Sequence, residues 1–135
     1  SSLKLKQIEL SEDSKYVPLF LKISPNIDSS HLKLLVEIIL EKNIDGIICT
    51  NTSNVHDHFS GKGGISGKPL LELSSKILVT LRSLVGKNFP IIASGGVMCA
   101  GDFQRKLDCG ADLVQIYTGL IYRGPSLVDE IVNSD

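Results

Sequence analysis

Two stretches near the end of the chain carry the residue types that an anion site needs. Pro90-Ile91-Ile92-Ala93-Ser94-Gly95-Gly96-Val97 and Gly110-Ala111-Asp112-Leu113-Val114-Gln115-Ile116-Tyr117-Thr118-Gly119 each hold a short apolar run that stops abruptly at small residues. A run of Ile or Val bounded by Pro or Gly has the pattern of a fully buried parallel strand. Glycines just past such a strand let the backbone approach an anion, and the helix that follows offers unpaired N–H groups and a positive dipole end. Two such strand ends in tandem suit one phosphate group held between them, with the Thr118 hydroxyl as a further donor. In a β/α barrel the usual place for this is the loops after the seventh and eighth strands.

Other chemistry-bearing residues stand at earlier strand ends. Gly46-Ile47-Ile48-Cys49 runs straight into Thr50-Asn51-Thr52-Ser53-Asn54, a sudden switch from apolar to hydrogen-bonding residues. Structure alone rarely needs this. Asn51 offers both donor and acceptor, suited to a planar amide-like ligand, whereas a capped turn is the simpler reading of Asn51 and Thr52. Lys22 interrupts the apolar run Val17–Ser24. Either it snorkels to the surface, or it is a cation at a barrel mouth that stabilises negative charge on a bound cofactor or substrate. Gly63-Gly64-Ile65-Ser66-Gly67-Lys68-Pro69-Leu70 lacks the Walker spacing, so a nucleotide triphosphatase is rejected. His56-Asp57-His58 has the look of a metal site, but no carboxylate cluster completes it, and no metal is expected.

The elements that must position these residues alternate. Strands are expected at Val17–Ser24, Gly46–Cys49, Ile91–Ser94 and Leu113–Tyr117. Between them run helical patterns. Asp28 and Ser29 can cap the first, with Leu32, Leu35, Val36, Ile39 and Leu40 on one face and Asn43 at its end. A second carries Ile77, Leu78, Leu81, Leu84 and Val85 and stops at Gly86. A short one covers about residues 101–109, and the last starts near Pro125. Residues 1–16 read as an incoming helix end or loop, and Val55–Lys68 as a long loop of the functional kind. This β-α-β-α-β-α-β-α order implies parallel strands with right-handed crossovers. Four such units are half of a (β/α)8 barrel, which takes about 250 residues. A half barrel leaves two open sheet edges, so a second half is expected.

Composition narrows the partners. The 135 residues are 42% hydrophobic and 21% charged with formal net charge −1, an ordinary globular balance. Without a basic stripe, nucleic acid is not an expected partner. No apolar run is long enough to cross a membrane, and no signal peptide opens the chain, which starts Ser1-Ser2-Leu3 as a fragment or processed product would. Cys49, Cys99 and Cys109 show no paired spacing and are expected as reduced thiols.

Taken together, from about Lys15 to Asp135, these motifs resemble dihydroorotate dehydrogenase, and within that family the membrane-associated, quinone-using class 2. The resemblance is carried by Lys15-Tyr16-Val17-Pro18, Leu21-Lys22-Ile23-Ser24-Pro25, Asp45-Gly46-Ile47-Ile48-Cys49-Thr50-Asn51-Thr52, the 63–70 stretch and the two terminal strand ends, in the right order and spacing. It implies an FMN enzyme with the TIM barrel fold that oxidises dihydroorotate to orotate in pyrimidine synthesis, passing electrons to a quinone. Residues 17–135 would be the C-terminal half of that barrel. On matching positions, Lys22 would contact the isoalloxazine ring and stabilise charge on reduced flavin. Thr50 would also touch the flavin, while Asn51 and Thr52 would hydrogen-bond the pyrimidine. Gly67, Gly96, Tyr117 and Thr118 would hold FMN, the last three around its phosphate.

The resemblance also implies what this stretch lacks. The family's catalytic base is a serine in the first half of the barrel, with the membrane-contacting segment and the quinone tunnel. Association with a bacterial or mitochondrial inner membrane would run through those parts, and this chain would be active only with its other half. Cys99 and Phe103 depart from the small residues usual in the family, which questions how the short helix packs. Two alternatives stand beside this reading. One is another FMN barrel, such as a class 1 dihydroorotate or a dihydropyrimidine dehydrogenase; the other is a non-catalytic flavin-binding half barrel.

Overall fold

In the computed structural model, which describes residues 2–12, 15–55 and 63–134, the four expected strands form one sheet. They are β1 (Phe20–Ile23), β2 (Gly46–Cys49), β3 (Ile91–Ser94) and β4 (Leu113–Gln115). All neighbours pair in parallel and in chain order, β1-β2-β3-β4. Parallel strands need long crossovers, and helices supply them: α2 (Ser29–Glu41), α3 (Leu71–Val85) and α4 (Ala100–Asp108). The fold is α/β, with the sheet order of four consecutive β/α units of a barrel wall.

Local chemistry accounts for the element ends. Asp28 caps α2, its carboxylate accepting from the Ser30 and His31 N–H groups at 3.0 Å each. Asn43 follows in the left-handed region at φ 52° and turns the chain toward β2. Gly86, at φ 79°, ends α3.

Two strands are shorter than their sequence patterns. The expected Val17–Ser24 pairs only over Phe20–Ile23, because contact with the neighbouring strand begins where the Asp45 N–H meets the Leu19 carbonyl at 3.1 Å. Pro18, lacking an N–H, lies before that point. The expected Leu113–Tyr117 ends at Gln115, whose partner Ser94 is the last residue of β3 before Gly95 turns away at φ 111°. The end of the chain also differs, since two helices stand where one was expected: α5 (Thr118–Arg123) and α6 (Ser126–Val132). The intervening Gly124, at φ 66°, separates them. The α5 sequence, Thr-Gly-Leu-Ile-Tyr-Arg, is too poor in helix formers to stand out.

The main core lies between one sheet face and the crossover helices. Ile23, Ile47, Cys49, Ile91 and Ala93 point into it, met by Leu32, Val36 and Ile39 of α2 and by Leu78 and Leu81 of α3. Each fully buried Leu or Ile contributes about 1.5–3 kcal/mol, and Leu78→Ala would cost about 2–5 kcal/mol. A smaller cluster of Val97, Leu127 and Ile131 takes in Phe103 of α4. The bulk of Phe103 is thus absorbed against α6. The alternation of the strands sends Phe20, Lys22, Ile48, Ile92, Leu113 and Gln115 to the opposite face, where Leu113 is 63% exposed.

Residues 2–12 form a regular helix, α1 (Ser2–Glu12), and bury no side chain. It is held by polar contacts instead. Lys4 and Gln7 reach the Asp45 carboxylate at 3.1 and 2.9 Å, and Tyr16 and the Leu19 N–H also donate to it.

Candidate functional site

A cleft of about 420 Å³ opens at the C-terminal ends of the strands. Every residue expected to hold the cofactor or the pyrimidine lines it: Lys22, Thr50, Asn51, Thr52, Gly67, Gly96, Tyr117 and Thr118. They come from four separate strand ends and one loop.

At the β1 side, Lys22 Nζ lies 3.5 Å from Gln115 Oε1. Since β1 and β4 are the two edges of the sheet, this contact requires the sheet to curl over its open face, as a barrel wall does. No carboxylate among the described residues lies within ion-pair distance of the Lys22 ammonium. Its charge is therefore available to a ligand.

The turn after β2 is tied down through its backbone. Thr50 N–H donates to the Ser94 carbonyl at 2.9 Å, and Asn51 N–H donates to the Ile23 carbonyl at 2.7 Å. The Thr50 hydroxyl donates to the Asn51 carbonyl at 2.9 Å. The Asn51 side chain is left exposed and without a partner among the described residues. Ser53 and Ile65 exchange backbone hydrogen bonds of 3.1 and 2.7 Å, which brings the returning loop across this turn. A Cβ on Gly64 would stand 2.2 Å from Thr52 Oγ1. The loop then reaches Thr118, whose hydroxyl donates to Ser66 Oγ at 3.0 Å. Gly67, at φ 72°, allows the approach, for a Cβ there would be 2.9 Å from Thr118 Cγ2.

The glycine pair after β3 forms the far end of the cleft. Both residues have positive φ, 111° at Gly95 and 88° at Gly96, and a Cβ on Gly96 would lie 2.4 Å from Leu71 Cα. Gly96 and Val97 are buried residues, and their N–H groups have no acceptor among the described residues. Buried N–H groups normally find one. Thr118 stands opposite, and Tyr117, 76% exposed, forms the rim.

Several supporting residues were not singled out in the sequence. Ser66 sits in the glycine-rich stretch set aside for lacking Walker spacing, and Gln115 is a polar residue in an apolar strand, the same signal that marks Lys22. Asp102 accepts from Lys68 Nζ at 2.8 and 3.1 Å and from Met98 N–H at 3.0 Å. Burial works against its charge, yet these donors hold its carboxyl below the usual range and draw the Lys68 ammonium up. The pair ties the chain after Gly67 to the chain after Val97.

Cys49, Cys99 and Cys109 are free, and burial pushes the Cys49 thiol up to about 12. It is an inert core thiol. His56-Asp57-His58 lies outside the described residues, among which no group of three metal-ligating side chains occurs.

Known proteins share much of this sequence and fold. The family model described as dihydroorotate dehydrogenase matches residues 1–134. Proteins named dihydroorotate dehydrogenase (quinone) from Shewanella sp. strain MR-4 and from Shewanella baltica strain OS185 are each 43% identical over 141 aligned positions, covering 99% of this chain. The match spans 42% of each relative, so the chain corresponds to less than half of their length. Among solved structures, Eimeria tenella DHODH in complex with ferulenol superimposes with a TM-score of 0.81 at 32% identity, covering 89% of this chain and 34% of that one. The ligand-free form gives 0.77 at 32% identity, over 84% and 33%.

Proposed function

The chain belongs to the dihydroorotate dehydrogenase family, and from that premise we propose that it forms one wall of an FMN site in a quinone-dependent enzyme that oxidises dihydroorotate to orotate. The observation that carries this is the single cleft shared by all eight residues, with free backbone donors at one end and an unpaired cation at the other. That polarity fits the cofactor. A phosphate monoester suits the Gly96 and Val97 N–H groups with the Thr118 and Ser66 hydroxyls beside them. A flat ring that gains negative charge on reduction suits Lys22.

When bound, FMN supplies two-electron oxidation chemistry, with a quinone as the final acceptor. This chain's residues hold and orient. Lys22 places its ammonium beside Gln115, at the end of β1, where it would stabilise charge on a reduced ring. Asn51 presents a free amide to the pyrimidine, with the turn beneath it locked to Ile23 and Ser94. Thr50 and Gly67 line the cleft and would flank the ring, and Tyr117 would cover the phosphate end. The proton-abstracting serine belongs to the other half of the barrel, as do the quinone route and the membrane contact. Among the described residues no helix is long and apolar enough to cross a membrane.

The test is a flavin absorption spectrum of the purified native protein, before and after anaerobic dihydroorotate. Bleaching of a bound flavin is expected. Bound flavin that dihydroorotate leaves oxidised would point to another FMN enzyme or a binding module, and a folded protein without flavin would remove the cofactor assignment.

A further inference from the structure

Between α3 and α4 lies a charged group that the proposed chemistry does not use. Lys106 is 0% exposed, and its ammonium donates to Ser74 Oγ at 2.6 Å and to Ser75 Oγ at 3.0 Å. Among the described residues no carboxylate is within ion-pair distance of it. An unpaired buried charge is strongly unfavourable, so two serine hydroxyls alone are a poor reason for a lysine here.

Ser74 has a second role. Its Oγ lies 3.1 Å from the Gly95 carbonyl, besides 2.8 and 3.2 Å from the Leu70 and Leu71 carbonyls of its own helix. A hydroxyl has one proton to give, and a donor on its oxygen leaves that proton for these carbonyls. In a planar trans peptide the C=O and the following N–H point in opposite directions. Holding the Gly95 carbonyl against α3 therefore turns the Gly96 N–H away from α3, at a residue that lines the cleft. The turn has little freedom to do otherwise, since Gly96 packs on Leu71 with no room for a Cβ.

We propose that Lys106 is a positioning residue for the phosphate end of the cleft: through Ser74 it fixes the Gly95–Gly96 peptide, and its charge would favour an anion held there. This rests on the phosphate assignment made above. Burial pushes Lys106 down to about 8, with Cys49 of β2, Cys109 after α4, Arg105 and Asp102 of α4, and Glu72 of α3 as the titratable or charged groups around it. Its proton is thus lost in an accessible pH range. A phosphate monoester is already doubly ionised there, its second pKa being about 6, so a loss of affinity over that range belongs to the protein.

The experiment titrates FMN and riboflavin, which lacks the phosphate, into cofactor-stripped native protein from neutral pH to about pH 10. Lys106→Met and Ser74→Ala are measured alongside. In the wild type, the preference for FMN over riboflavin should fall as pH passes about 8. Lys106→Met should keep riboflavin affinity, lose about tenfold or more in FMN affinity at neutral pH, and show no such fall. Ser74→Ala should bind FMN more weakly at every pH yet retain the fall. A Lys106→Met protein with an unchanged FMN-to-riboflavin ratio, or one that loses both ligands alike, would overturn the inference. Should Lys106→Met not fold, an unchanged ratio in Ser74→Ala would overturn it equally. A wild type with no preference for FMN would instead sink the phosphate assignment itself, and this inference with it.

Discussion

Lys22 and Lys106 are both cations among apolar neighbours, but their surroundings assign them opposite duties. Lys22 is exposed at a strand end with only Gln115 at 3.5 Å, so its charge is offered outward. Replacing it with Ala should slow flavin reduction by dihydroorotate about 10²–10³-fold, the size of effect seen when one charge-stabilising donor is removed; anaerobic stopped-flow absorbance would read it, and an unchanged rate would remove this role. Lys106 faces inward, and burial lowers its pKa in the fold to about 8 from 10.5. Between those values the unfolded chain binds more protons than the folded one, so stability from this group rises with pH across about 8 to 10.5. Below about pH 8 the full penalty of a buried charge is present. Lys106→Met should therefore melt at or above the wild-type temperature at pH 7, and the gap should narrow on going to pH 10. A lower melting temperature at pH 7 would count against that assignment. Stability given up for ligand binding is a common trade.

Among the elements, α1 is the exception, because every other long helix buries an apolar face. Its exposed Leu3, Leu5, Ile8 and Leu10 show no helical stripe, and its docking depends on Asp45, which gathers donors from Lys4, Gln7, Tyr16 and Leu19. Burial opposes the charge of Asp45, but these hydrogen bonds prevail and hold its carboxyl well below the usual range. A depressed carboxylate stabilises the fold above its unfolded pKa, and that contribution is lost as pH falls below about 3.8 toward the folded value. Asp45→Asn, or acidification far enough below about 3.8 to protonate the folded carboxyl, should release α1 while the sheet persists. Hydrogen exchange would show it as lost protection confined to residues 2–12, and unchanged protection there would refute the anchor. Sequence reading could place a helix end here but no partner. The contacts run 26 to 41 residues along the chain, and polar anchors leave no periodic trace.

For the molecule as a whole, the decisive feature is the uncovered concave face. Phe20, Ile48, Ile92 and Leu113 share it, β1 and β4 are each paired on one side only, and among the described residues no helix lies across it. Open edges and an apolar face favour association with another chain segment. The isolated chain should bind the dye ANS and self-associate on size exclusion. Joining it to the remaining half of a relative's barrel should suppress both. A monodisperse chain without dye binding would contradict this picture of an open wall.

Much of this was legible in the sequence for a definite physical reason. Burial on one or both faces imposes a local period, so the four strands, the caps at Asp28 and Gly86, and the abrupt polar switch at Thr50 can be read from neighbours a few residues apart. The residues lining the cleft were legible too, because parallel strands joined by helices bring all their C-terminal ends to one rim. Strand lengths were not, since pairing depends on where a neighbour begins and stops, as at Leu19 and Gly95. Nor were the contacts that support the site: Lys22 with Gln115, Lys68 with Asp102, Lys106 with Ser74, and Ser74 with Gly95. These join residues 21 to 93 positions apart, and only the packing of α3 on α4 and the curl of the sheet bring them within hydrogen-bond reach.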